Sequence, residues 1–173
     1  ALGDNLRSLK HVNGFPVPMV RGCMFSCTYC GGGKKAQLRL SGRRGLAAVP
    51  HEHAALEVER LRNQGIEVFF MEYAPLDDDD AYYIRLFETL RARGVDIQAD
   101  IECRNLPSTR FLVEFAKTFR DPNLSRLNFS PDSPSQERRR GLKVGVPMSD
   151  NLLWTRLAEM ERIGVSSEIY FSV

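Results

Sequence analysis

No uninterrupted apolar run in the 173-residue sequence exceeds four residues, far short of the ~20 that cross a bilayer as a helix. That excludes a membrane-spanning helix. The opening residues lack the basic-then-apolar stretch of a secretory leader. Low-complexity tracts and long linkers are absent too. A charge excess is also missing: 24 Lys plus Arg against 22 Asp plus Glu leaves +2. That balance by itself predicts neither a nucleic-acid nor a membrane partner. What is present is ordinary globular composition, 43% hydrophobic and 27% charged, in a length suited to one domain.

Cysteine is scarce and badly spread for disulfides. Cys23, Cys27 and Cys30 lie within eight residues, and Cys103 stands far downstream. Disulfide-dense chains are usually smaller and secreted. The close trio therefore reads as thiolates on a metal in a reducing, cytoplasmic setting.

After the cysteines the pattern alternates. Pro50 to Gln64 carries Ala54, Leu56, Val58 and Leu61 between charges, stops at Gly65, and leads into the strand-like Ile66 to Met71. Asp77 to Asp80 then precede a helical repeat over Ala81 to Arg93, where acids suit a helix N-terminus, and Gly94 suits its left-handed end. Val95 to Glu102 alternates apolar and polar as a strand does. The cycle repeats with a helix from Pro107 through Phe119, a strand over Leu124 to Ser130, and a helix capped by Ser149 or Asp150. Gly164 ends that helix and Val165 to Val173 is again strand-like. Phe15 to Val20 adds a fifth strand, which Pro16 and Pro18 assign to an edge or a strand start.

Five strands and about four helices in alternation predict an α/β fold with a parallel sheet. The pattern leaves open whether the sheet is flat or curled into part of a barrel. We expect a single domain over 1–173, with a lead-in segment at 1–14 and βα repeats over 15–173. Because Val173 falls inside an apparent strand, the expectation is a domain excised from a longer polypeptide.

The sequence Arg21-Gly22-Cys23-Met24-Phe25-Ser26-Cys27-Thr28-Tyr29-Cys30-Gly31-Gly32-Gly33 can wrap three thiolates around a soft-metal centre. Zinc prefers a closed tetrahedron of nitrogen and sulfur ligands, for which His51 or His53 would supply the fourth donor. A four-iron four-sulfur cluster held by three cysteines keeps one iron without a protein thiolate. His11, His51 and His53 show no ligand spacing among themselves.

On this loop the chain resembles the radical S-adenosylmethionine (SAM) enzymes, whose Cys-x3-Cys-x2-Cys signature follows the first strand of a partial, truncated β/α barrel. Tyr29 fills the aromatic place before the third cysteine. The resemblance implies that Cys23, Cys27 and Cys30 hold a 4Fe-4S cluster and that the open iron is chelated by SAM. An electron from the cluster would cleave the sulfonium to methionine and a 5′-deoxyadenosyl radical, with the protein positioning and shielding the cofactor. It also implies a reducing electron donor as partner.

Cys30 to Gly33, the basic stretch around Ser41 to Arg44, Phe69 to Pro75 and the closing Ile169 to Val173 resemble the subgroup that often carries a cobalamin-binding domain. Such a domain would lie upstream in the parent chain. The resemblance then implies a cobalamin-linked methyltransferase, or a related radical transformation, acting on a small metabolite or a peptide. The competing classes are a zinc-binding interaction module without catalysis and an iron–sulfur electron carrier.

Further candidates sit where strands of parallel β/α folds end, at the ligand-binding side. Met71-Glu72-Tyr73 stands where many family members have Gly-Gly-Glu contacting the SAM amino group. Glu72 still offers an acceptor, against an ordinary polar strand end. Arg104 could pair with the SAM carboxylate, or with Glu102. Cys103 reads as a small buried apolar residue, or as a thiol near the mouth. Ser130 and Asp132 occupy the place of contacts to ribose hydroxyls; the competing reading is a turn, with Ser133 and Gln136 forming a capping box. One of Arg138, Arg139 and Arg140 would face the SAM carboxylate, the others forming a solvated run. Gly31, Gly32 and Gly33 allow backbone to approach SAM closely, or form a plain turn. Lys34, Lys35, Arg39, Arg43 and Arg44 would pack over the cluster or dock another domain. No residue that touches substrate is assigned.

Overall fold

The structure is a computed structural model and describes residues 14–76 and 78–171. The lead-in segment as far as residue 13 (with His11), Asp77, and the last two residues of the closing run lie outside the described residues. The elements run β1 (Phe15–Val17), β2 (Val20–Arg21), α1 (Lys34–Ser41), β3 (Ala47–Ala48), α2 (His51–Arg62) and β4 (Val68–Tyr73). A 3-10 turn (Asp78–Asp80) then precedes α3 (Ala81–Ala92) and β5 (Gln98–Cys103). The rest is α4 (Thr109–Thr118), β6 (Arg126–Asp132), α5 (Gln136–Leu142), α6 (Asp150–Ile163) and β7 (Ser166–Phe171).

Five strands form one sheet in the order β1-β4-β5-β6-β7, and every pairing in it is parallel. β1 is an edge, as Pro16 requires, since proline has no N–H for a second neighbour. The strand expected over Phe15 to Val20 is broken: β1 stops at Val17, and Val20–Arg21 turns away to pair antiparallel with Ala47–Ala48. Pro18 falls in that break.

The two faces of the sheet differ in chemistry. Phe69, Met71 and Tyr73 of β4, Ala99, Ile101 and Cys103 of β5, and Leu127 and Phe129 of β6 are buried in the core. On the helical side, α3 packs between α2 and α4, and α4 packs on α6. Phe87 and Phe111 meet edge-on at 5.2 Å between centroids, as do Tyr73 and Phe111, the geometry ring quadrupoles favour. Each fully buried phenylalanine contributes about 1.5–3 kcal/mol of transfer free energy.

The alternate positions on β5 and β6 are polar: Gln98, Asp100 and Glu102, then Arg126, Asn128 and Ser130. Arg126 bonds Asp100 at 2.8 Å and Glu168 of β7 at 2.7 Å. An open sheet covered by helices on both faces carries apolar residues on both. The polar second face is what the interior of a β/α barrel mouth requires, so the fold is the α/β, partial-barrel class expected.

Several local expectations are corrected. The strands end later than the apolar pattern suggests: β4 reaches Tyr73, β5 Cys103 and β6 Asp132, because the register pairs Glu72 with Glu102 and Tyr73 with Cys103. Asp80, at the N-cap position of α3, makes no side-chain capping bond. Asp79 and Asp80 adopt left-handed backbone, and the Asp80 carboxylate turns into the core to accept from Tyr73 Oη at 2.6 Å and from the Ser108 N–H at 2.7 Å. The capping box at Ser133 and Gln136 does not form. Ser135 caps α5 by accepting from the Arg138 N–H, while Gln136 accepts from the Asp150 N–H. Ser149 caps α6 and Gly94 is left-handed, as expected. No helix among the described residues is long and apolar enough to cross a membrane.

Candidate functional site

The cysteine loop joins β2 to α1 across the C-terminal ends of the strands. Gly22 opens it in a conformation only glycine tolerates: φ is +107°, and a Cβ would stand 2.7 Å from the Gly45 carbonyl oxygen. The Cys30 N–H bonds the Cys27 carbonyl at 3.2 Å, and the Lys34 N–H bonds the Phe25 carbonyl at 2.6 Å, starting α1. Phe25 is buried, and its N–H donates to Cys23 Sγ at 3.4 Å. All three cysteines are free; Cys23 and Cys27 are half-buried and Cys30 is exposed.

Cys23, Cys27 and Cys30 line a cavity of about 310 Å³ together with Glu102, Arg104, Ser130 and Lys143. Gly32 and Tyr29 also border it. The structure thus brings together, at one strand mouth, the three cysteines and two of the polar strand-end residues that the sequence singled out, Arg104 and Ser130; Glu72, Tyr73 and Asp132 are outside the lining. Gly31 is exposed and outside the lining.

Arg104 donates 2.6 Å to the Gly22 carbonyl and pairs with Glu72, so it ties the ends of β4 and β5 to the start of the cysteine loop. This replaces the Arg104–Glu102 pair considered from sequence. Asp132, expected against ribose, is already engaged by protein. It accepts from Tyr29 Oη, from Ser130 Oγ at 2.8 Å, and from Lys143 Nζ at 2.9 Å. Burial alone would raise its carboxyl, but the bonds from Tyr29, Lys143 and Ser130 outweigh it and hold Asp132 below the ordinary range. Its backbone is left-handed, φ +66°, a conformation uncommon outside glycine and maintained here by its partners. Backbone pairing extends the same clamp: the Thr28 N–H bonds the Leu142 carbonyl at 2.9 Å and the Ser26 N–H bonds that of Val144 at 3.3 Å.

Tyr73 does not reach the cavity; parity turns it to the helical side, where it is 2% exposed. Among the three arginines, Arg139 is the buried one. It bonds Asp150 and the carbonyls of Ser133, Pro134 and Met148, which fixes the segment between β6 and α6 rather than a ligand. Arg138 and Arg140 are exposed. Cys103 is fully buried within the core, and burial pushes its thiol well above the ordinary value.

Sequence reasoning named Glu102 only as a partner for Arg104 and passed over Lys143. The signal for Glu102 was its place third in the polar alternation Gln98, Asp100, Glu102. Its carboxyl is raised by burial first, with Lys143 opposing and Asp100 and Glu72 adding. Among the described residues no donor is bonded to it. Asn128, its neighbour in register, has a buried Oδ1 with no partner. Glu102 lines the cavity and Asn128 does not, so a ligand bringing N–H or O–H groups would complete the Glu102 acceptor.

Among the described residues no group of His, Cys, Asp or Glu converges to hold a single metal ion. His51 stands instead beside Thr89 and Glu52. A cubane binds its thiolates at separate iron corners, so three cysteines spaced around one cavity wall suit a cluster better than an ion. Burial raises the Cys27 thiol, while Lys143 acts to lower it. Glu102 with Arg104 and Lys143 offers both signs of charge, the complement of an amino-acid zwitterion.

A family model described as the radical SAM superfamily matches residues 17–163. HydG, a maturase of the FeFe-hydrogenase, superposes with a TM-score of 0.63 at 13% identity, covering 98% of this chain and 38% of that one. The protein anSMEcpe, solved with bound AdoMet, gives 0.57 at 17% identity, covering 90% and 42%. At such identities the likeness is one of fold. The chain spans about two fifths of the length of these solved proteins. No curated protein matches by sequence.

Proposed function

The chain belongs to the radical SAM superfamily, and from that premise we propose that it is an enzyme core in which Cys23, Cys27 and Cys30 hold a 4Fe-4S cluster beside a SAM site. The observation that carries this is the single cavity at the mouth of the parallel strands, walled by all three thiols and by charges of both signs. When bound, the cluster supplies the electron that cleaves the SAM sulfonium reductively. The chain's own residues do the placing. Gly22 and Gly32 let backbone approach closely, Arg104 fixes Glu72 and the loop start, and Tyr29 with Asp132 braces the thiolates. Glu102 accepts from a cationic or N–H group, Lys143 and Arg104 face an anionic one, and the Ser130 hydroxyl is placed for a polar contact.

The finer assignment is cobalamin-linked methyl transfer, or a related radical transformation, on a small metabolite or peptide. Its support is the likeness of Cys30-Gly31-Gly32-Gly33 and Ile169 to Val173 to that subgroup. The cobalamin would be held by a further domain of the parent chain, and cobalamin uptake by the full parent protein tests this.

Metal content tests the main proposal. Anaerobic reconstitution should give a brown protein with about four irons and four sulfides per chain, and Ala at any one of the three cysteines should lose most of it. One zinc without colour would instead favour an interaction module. An electron carrier would need a fourth protein ligand on the cluster; Cys103 borders the same cavity, but burial holds its thiol well above the ordinary value, which disfavours the thiolate a ligand must be.

A further inference from the structure

The ions on the polar face of the sheet are paired off, with one exception. Arg104 holds Glu72, Arg126 holds Asp100 at 2.8 Å and Glu168 at 2.7 Å, and Lys143 holds Asp132 at 2.9 Å. Glu102 stands among them on β5 without a cation, and among the described residues no N–H or O–H donates to it. It is also the carboxyl that lines the cavity beside the three cysteines.

The residue next to it across the strands deepens this deficit. Asn128 pairs in register with Glu102, so the two side chains leave the same face of strands about 4.8 Å apart. Asn128 is 4% exposed, and the direction of its amide is fixed. Its Nδ2 donates to the Asp100 carboxylate, which only accepts. Oδ1 is the end left over, and it has no partner. Turning the amide to offer Nδ2 to Glu102 would set Oδ1 against Asp100. Two acceptors therefore stand on neighbouring positions with no donor for either.

A buried acceptor without a donor is costly, and a proton on Glu102 relieves both residues at once. The resulting O–H donates to Asn128 Oδ1, and the unpaired charge disappears. Burial first, then the carboxylates of Asp100 and Glu72, hold that proton more tightly than usual, against Lys143 and Arg104. Those two cations are already committed to Asp132 and Glu72.

Resting on the SAM-site reading above, we propose that Glu102 is the cation-selecting residue of the cavity, and that a primary ammonium group enters by replacing a proton shared between Glu102 and Asn128. On entry the Glu102 O–H bond breaks, its proton passes to solvent, and the carboxylate accepts N–H bonds from the ammonium. No electron moves. Proton and ligand compete, so affinity for the cation rises with pH until Glu102 is ionised in the empty cavity. The ammonium is that of SAM or that of the substrate, and experiment separates the two.

The test is calorimetric titration of the reconstituted protein with SAM, between about pH 5.5 and about pH 7, where ordinary carboxyls are already ionised. Two buffers of different ionisation enthalpy give the number of protons released. The SAM-loaded protein is then titrated with methylammonium, the simplest primary ammonium. One of the two ligands should release a proton, most at the acid end, with affinity rising by up to about tenfold per pH unit. Glu102→Gln keeps the size and offers Nε2 to Asn128 Oδ1, yet has no proton to give. It should release none, and its affinity should not rise with pH. Asn128→Ala should move the release to lower pH, because the proton loses its acceptor. Glu67→Gln, at an exposed position outside the lining, should behave as wild type. Release with SAM assigns the ammonium to SAM, and release with methylammonium alone assigns it to the substrate. No release in either titration overturns the proposal, as does release that persists in Glu102→Gln. Absence of SAM binding at every pH refutes the SAM-site reading instead, and the methylammonium titration then decides this one.

Discussion

The phenol of Tyr29 donates its hydrogen bond to the carboxylate of Asp132, 103 residues further along the chain. That bond joins the loop carrying the three cysteines to the end of β6. Lys143 and Ser130 hold the other sites of the same carboxylate. Asp132 is thus a positioning residue for the loop.

Tyr29→Phe and Asp132→Ala should each speed loss of iron to a chelator from the reconstituted protein by about tenfold. A hydrogen bond to a charged group is worth roughly 1.5–3 kcal/mol, and 1.4 kcal/mol is about tenfold. The double variant should be little faster than Asp132→Ala alone, since both remove one bond. Asp132→Asn should fall between wild type and Asp132→Ala, because Asn keeps an acceptor and tolerates left-handed backbone but gives up the charge paired with Lys143. Iron loss at the wild-type rate, with weakened SAM binding, would return Asp132 to the ribose.

Glu102 sets a pH dependence. Its folded-state carboxyl lies above the ordinary value, so the folded protein holds that proton more tightly than the unfolded chain. Stability from this group is full below the unfolded value of about 4.3 and is lost as pH rises through the raised one. Glu102→Gln should therefore melt higher than wild type at neutral pH, and the gain should vanish towards pH 4. Melting curves between pH 4 and 8 check the sign. The same variant should weaken SAM binding if the cavity occupant offers its cation to Glu102.

Tyr73→Phe separates core from site. Removing the hydroxyl that donates to Asp80 should cost about 1 kcal/mol of stability, read by urea unfolding. SAM affinity should not change. A tenfold loss of SAM affinity at unchanged stability would place Tyr73 in the cavity after all.

Arg139 should be the one member of its run that matters for stability. Replacing it by Met strands Asp150 and three carbonyls, and costs about 3 kcal/mol. Arg138→Ala and Arg140→Ala, both at exposed positions, should stay within roughly 0.5 kcal/mol of wild type.

The βα alternation was legible because Gly65, Gly94 and Gly164 punctuate helices whose apolar faces repeat every three or four residues. Cys23, Cys27 and Cys30 were legible because their spacing is local. What escaped depends on tertiary geometry. α1 has no apolar stripe to announce it, since it buries nothing. Asp80 looked like a helix-start acid, and only the fold shows Tyr73 and the Ser108 N–H waiting for it. Arg139 could not be told from Arg138 and Arg140 until α5 turned one of the three inward. Glu72 and Arg104 were both visible as strand ends, but their mutual pairing follows from the register of β4 on β5.

The most direct measurement is the electron paramagnetic resonance spectrum of the anaerobically reconstituted, dithionite-reduced protein, recorded before and after adding SAM. A cluster bound by Cys23, Cys27 and Cys30 with one iron left open should give a cubane signal whose g-values shift when SAM is added, in wild type and in Cys103→Ala alike. A reduced cubane whose spectrum is identical with and without SAM would contradict the account.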